Sequence, residues 1–174
     1  MVLTDRGDSM KELSKAELKE LLIKCWMTHD AMWLMQTVQH CGFEKANLIN
    51  KAAVRSMAQV EIKRIKKAFG IDRIETPEAF RDLLQYINQV VKADFMDFDY
   101  SFPQEDTLRV HMNQCFAHDG MAKFGVLDQY QCGIFERFFG WFDGLGLKYQ
   151  AIPEVENCLM QQTGACVRDI KITL

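Results

Sequence analysis

The chain has 174 residues, 48% hydrophobic and 11% aromatic, which supplies a sizeable core and is far from a disordered composition. A formal charge of −3 gives no basic field to gather nucleic acid, and no apolar run approaches the roughly 20 residues of a bilayer span. Met1 to Lys11 is mixed and charged with no export signal, so a cytoplasmic setting is expected, with the six cysteines as thiols or metal ligands rather than disulfides.

Ser14-Lys15-Ala16-Glu17 has the form of a capping box and predicts a helix running through Cys41 to a stop at Gly42. A second helix is expected from about Glu44 to Phe69, closed by Gly70, so the two form an antiparallel helical hairpin. Thr76-Pro77, a cap followed by proline at the first helical position, opens a third helix to about Val91.

The periodicity then changes. Met96, Phe98, Tyr100 and Phe102 alternate with polar residues between Ala93 and Phe102, and Leu108, Val110 and Met112 do so after a turn at Pro103 to Asp106. A short irregular or helical stretch leads to a fourth helix near Gln131 to Leu145. Lys148 to Met160 and Ala165 to Thr173 are expected as two further strands. The predicted fold is therefore α+β: a helical region, 1–92, packed on an antiparallel four-stranded sheet of ββαββ order, 93–174, together forming one globular domain.

Three groups of residues carry chemistry in this pattern. Asp30 sits on the aromatic helix face of Trp26 and Trp33, with His29 beside it. A carboxylate there is costly without a partner, so Asp30 and His29 form an acid/base pair or metal ligands at the floor of a cavity, or Asp30 makes a buried ion pair. Glu61 either joins Asp30 as a paired carboxylate or bonds Arg64 three residues on.

The second group is Cys115, His118, Cys132, Cys158 and Cys166. A tetrahedral site on Cys115, His118, Cys132 and Cys158 would suit zinc or iron, although paired CxxC knuckles are missing. Separate core thiols, or a nucleophilic cysteine with His118 or His111 as its base, are the alternatives. In the third group, Gly133, Gly140 and Gly144 share a helix face around Arg137. Each interior glycine costs about 0.8–1 kcal/mol against alanine, so that face should meet a strand, a partner subunit in a homodimer, or a ligand whose carboxylate Arg137 grips.

The run from Trp26 through His29-Asp30 and Trp33, then Gly42, Glu44, Ala46, Asn50 and Glu61 to Lys67, resembles a bacterial and archaeal family with no assigned activity. Cys115, Cys132-Gly133, Cys158 and Cys166 extend the likeness over most of the chain. The predicted strand-strand-helix-strand-strand order and the ending Cys132-Gly133, Cys158 and Gly164-Ala165-Cys166 are more distantly similar to L-2-amino-thiazoline-4-carboxylic acid hydrolase-like proteins and to vinyl-reductase-type ligand-binding domains. Those families imply a small-ligand cavity between sheet and helices with cysteines near it. Cys166 is followed here by Val167-Arg168-Asp169, where an aromatic residue is usual in them.

The expected function is small-molecule binding between hairpin and sheet. Asp30 and His29 would stand on one side, the cysteines on the other, and Trp26, Trp33, Glu61 and Arg137 would contact the ligand. The alternative is a hydrolase of a small cyclic amide or amidine. In it, Cys132 or a metal-bound water attacks while Asp30 or His29 handles the proton.

Overall fold

A computed structural model describes residues 11–174. The expectation about an export signal concerns Met1 to Lys11, of which residues 1–10 lie outside the described residues. Helix α1 spans Lys15–Phe69. The Ser14 hydroxyl accepts the Glu17 N–H at 3.2 Å and the Glu17 carboxylate accepts the Ser14 N–H at 2.8 Å, which satisfies two orphan donors at the helix start.

Gly42, at φ 77 and ψ 166, is the one non-helical residue inside α1 and divides it into a first arm, 15–41, and a second arm, 43–69. The Trp26 ring lies 4.9 Å from the Arg137 guanidinium, and Glu61 lies 2.6 Å from the same side chain. Thirty-five residues of straight helix would hold Trp26 and Glu61 about 52 Å apart. The chain therefore doubles back at Gly42, a turn whose positive φ favours a residue without a Cβ. Helix α2, Pro77–Val91, is capped by Thr76 and buries Phe80, Leu83, Leu84, Ile87 and Val91, one stripe at helical spacing.

The sheet contains β1 (Asp97–Gln104), β2 (Thr107–Gln114), β3 (Lys148–Ile152) and β4 (Cys166–Thr173), in the spatial order β1-β2-β4-β3 with every neighbour antiparallel. Between β2 and β3 come α3 (Phe116–Lys123) and α4 (Ile134–Leu145), and α5 (Leu159–Thr163) separates β3 from β4. The architecture is α+β as expected, with five helices among the described residues. The connections differ from the simple ββαββ order. The strand expected over Lys148 to Met160 ends at Ile152, because Pro153 has no N–H to continue the ladder and Met160 already belongs to α5.

Helix α4 lies between the sheet and the second arm. Phe135 and Phe142 are each 1% exposed, and burying rings of this size contributes roughly 2–3 kcal/mol apiece. The glycines explain the opposite side. A Cβ on Gly140 would stand 2.6 Å from the Ala58 Cβ, and one on Gly144 would stand 2.5 Å from Ile62 Cγ2. The glycine face of α4 is thus filled by the second arm of α1. At Gly140 and Gly144 that arm takes the place of the strand, second subunit or ligand expected there, whereas Gly133 borders a cavity.

Candidate functional site

The molecule also holds a half-open cavity of about 620 Å³, bounded by the first arm, the second arm, β1, β2, α3 and α4. That volume falls within the range of small-molecule sites. The walls are largely apolar, with Met27, Leu34, Met57, Phe98, Met112 and Phe138 among them. Methionine is abundant, and its flexible thioether lets such a wall adapt to its contents.

A few polar groups interrupt this lining. The Tyr100 hydroxyl is buried without a hydrogen-bond partner, and burial pushes its pKa well above the usual tyrosine range. Arg137 also borders the cavity. Its Nε and Nη2 donate to the two Glu61 oxygens at 2.9 and 2.6 Å, and the Trp141 indole N–H donates to the same carboxylate at 2.8 Å. Trp26 and Trp141 lie 4.9 and 5.6 Å from the Arg137 guanidinium. Arg137 Nη1 makes no hydrogen bond among the described residues. Glu61 therefore pairs with neither Arg64 nor Asp30; its partner lies 76 residues away on α4.

The aromatic face expected on the first arm divides. Trp26 and Asp30 border the cavity, whereas Trp33 is 64% exposed and is not part of its lining. The Trp33 indole N–H donates to His29 Nε2 at 3.0 Å, which leaves the imidazole proton on Nδ1, 3.6 Å from Asp30. His29 and Trp33 form an outward-facing pair, so neither meets a ligand inside. Asp30 stands at the rim with about half its side chain exposed (48%); partial burial raises its pKa, opposed by His29 and Arg137.

Asp30 and Cys115 border the same cavity, while Cys132 and Cys158 lie behind its wall. Burial pushes the Cys115 thiol up to about 12 and Cys166 up to about 11, and raises Cys132 as well. Thiols held this way are poor nucleophiles at neutral pH. His118 Nδ1 lies 2.9 Å from Asp119, and His111 is exposed. Among the described residues no three His, Cys, Asp or Glu side chains gather tightly enough to hold a single metal ion.

Sequence reasoning missed Tyr100 and Arg168. Tyr100 falls on the apolar side of the alternation between Ala93 and Phe102, but periodicity reports burial and not whether a hydroxyl finds a partner. Arg168, 1% exposed, occupies an inward position of β4 between the apolar residues Cys166 and Ile170. A charged residue breaking an apolar alternation was the available signal.

No curated protein and no solved structure matches the chain. The chain belongs to a family of unknown function, DUF6125, whose profile matches residues 11–136.

Proposed function

We propose that this protein binds a small, largely apolar molecule in the cavity between the helical hairpin and the sheet, and reads one neutral hydrogen-bond acceptor on it. The observation that carries this reading is an apolar cavity of about 620 Å³ whose lining includes Tyr100, its buried hydroxyl without a partner, and Arg137 with an uncommitted Nη1. A buried polar group without a partner costs about 1–3 kcal/mol, which a ligand carbonyl or hydroxyl at this position would recover.

Charge decides against a carboxylate. Glu61 already balances Arg137, and Asp30 borders the same space. Lys24, the other cation on the lining, is paired with Glu20 at 3.0 Å, so a ligand carboxylate would bring a third negative group to Arg137 in apolar surroundings. The ligand is accordingly a neutral amphiphile, with an aliphatic or aromatic body against the methionines and its oxygen toward Tyr100 and Arg137 Nη1.

The test uses N-phenyl-1-naphthylamine, an uncharged fluorescent probe, with anionic anilinonaphthalene sulfonate as its counterpart. Saturable one-to-one binding of the neutral probe, lost on filling the cavity with Ala31→Trp, is the expected result. For neutral ligands with a carbonyl or hydroxyl, Tyr100→Phe should weaken binding about 5–10-fold, the loss of one hydrogen bond. Neutral-probe binding that Ala31→Trp leaves unchanged, or a consistent preference for the sulfonate, would overturn the reading.

A further inference from the structure

The cavity has a second polar end, away from Tyr100 and Arg137. Gly133, the N-cap of α4, borders it there, and so do Asn50 and Tyr130. Asn50 Nδ2 stands 2.8 Å, and the Tyr130 hydroxyl oxygen 3.6 Å, from the place a Cβ on Gly133 would take. Three residues earlier on the second arm, Asn47 is fully engaged. Its Nδ2 donates to the Gln129 carbonyl at 2.8 Å and its Oδ1 accepts the Gln131 N–H at 3.1 Å. Asn47 therefore clamps the chain on either side of Tyr130 and fixes that ring against the turn of helix that carries Asn50.

The two groups held this way keep hydrogen-bonding capacity in hand. The Asn50 amide makes no hydrogen bond among the described residues, and neither of its polar atoms is sealed off. Tyr130 is 6% exposed; its oxygen accepts the Gly133 N–H at 3.0 Å, while its own proton finds no acceptor among the described residues. A buried donor left unspent is costly, and a ligand acceptor would recover that cost. Asn50 adds one amide donor and one amide acceptor, so this end offers two donors and an acceptor without a formal charge. A primary carboxamide is the matching group: its carbonyl accepts from Tyr130 and from Asn50, and its N–H donates to Asn50. A hydroxyl would use only part of this set.

Tyr100 lies farther along. Its ring meets Phe138 edge-on at 5.9 Å, and Phe138 follows Gly133 by five residues, about 7.5 Å along the axis of α4. Val54 and Met57 follow Asn50 on the second arm and Ile134 follows Gly133, so the wall leading from this end is apolar. We propose that Asn50 and Tyr130 form a second polar subsite that takes a neutral carboxamide, and that the ligand has a hydrogen-bonding group at each end of an apolar spacer. This inference rests on the proposed binding in the cavity and adds the ligand's opposite end to it.

Calorimetry with 6-hydroxy-2-naphthamide, 2-naphthamide and 2-naphthol tests the subsite, because the rigid naphthalene carries both groups or only one. The two-ended ligand should bind at least about 5-fold more tightly than either one-ended ligand. Asn50→Ala should weaken both amides about 5–10-fold and leave 2-naphthol unchanged, and Tyr130→Phe should weaken the amides in the same direction. Gly133→Ala removes no polar group, and its backbone at φ −89 and ψ −17 suits alanine. The new methyl would displace the Asn50 amide, so this variant should reproduce the loss seen in Asn50→Ala. Melting temperatures establish that each variant is folded. Unchanged 2-naphthamide affinity in folded Asn50→Ala and Gly133→Ala would overturn the proposal, as would a two-ended ligand no tighter than its one-ended counterparts. If N-phenyl-1-naphthylamine binds in the cavity while the amides ignore Asn50, the subsite alone fails; if that probe does not bind, both proposals fall.

Discussion

The two arms of α1 have similar lengths and opposite surroundings. The second arm is built into the core: Ala58 and Ile62 are fully buried, and the glycines of α4 let its backbone approach closely. The first arm buries only Ile23 and Leu34, and leaves Leu22 at 68% and Trp33 at 64% exposure. Polar ties hold its beginning, where Lys19 donates to the Gln89 carbonyl at 2.7 Å and Glu20 accepts the Asp94 N–H at 3.0 Å. Between those ties and Gly42 it forms a wall over open space. The second arm contributes most of the packing and part of the cavity wall, and the first arm contributes chiefly wall, so a substitution should be judged by which arm it touches.

The largest effect is expected where the two arms meet on Arg137. Glu61→Ala leaves that guanidinium without its anion in a site where both side chains are mostly covered (15% and 12% exposed). Stability should fall by about 3–5 kcal/mol, measured by urea unfolding. The same variant turns the full charge of Arg137 toward the cavity, so the anionic sulfonate probe should bind more tightly than to wild type. Unchanged probe preference would show that Arg137 does not face the ligand.

Gly140→Ala tests the second arm alone. The new methyl group would meet Ala58 and the Arg55 backbone, which cannot retreat without moving the helix. A loss of about 1–3 kcal/mol is expected, with a melting temperature lower by roughly 2–4 °C per kcal/mol. Neutral-probe binding by the folded variant should persist, because Gly140 is not part of the cavity lining.

Local features of the molecule were legible in the sequence, and long-range ones were not. The capping box at Ser14, the left-handed Gly70 and the Thr76-Pro77 start depend on residues within a few positions of one another, and each structure follows its signal. The Glu61–Arg137 pair spans 76 residues, and nothing near either partner announces it. Trp33 shares a helix face with Trp26 by periodicity, yet two turns separate them along the axis, and Trp33 points outward where its neighbour Leu34 still lines the cavity. The end of β3 at Pro153 was foreseeable from the missing N–H.

Trp33→Ala should therefore change stability by no more than about 0.5 kcal/mol, and should not alter neutral-probe affinity. A larger stability loss would mean that the outer face of the first arm is covered by something in solution.

The finest contrast between the arms is their response to acid. Asp143 meets Arg55 of the second arm with Nε to Oδ2 at 2.7 Å, and that bond holds its pKa below the usual carboxylate value. Its contribution to stability is present above the unfolded pKa of about 3.9 and is lost as pH falls through the lower folded value. Asp30 on the first arm has the opposite sign. Partial burial raises its pKa, so the fold favours its neutral form, and that advantage is full below about pH 3.9 and lost as pH rises through the raised folded value. Asp143→Asn should thus cost most near pH 7 and little near pH 3, whereas Asp30→Asn should gain relative to wild type between pH 3 and pH 7. Urea unfolding of the three proteins across that range separates the cases. An Asp30→Asn variant that loses stability at neutral pH would show its carboxylate to be held by an ion pair, and the first arm would then be anchored in the same way as the second.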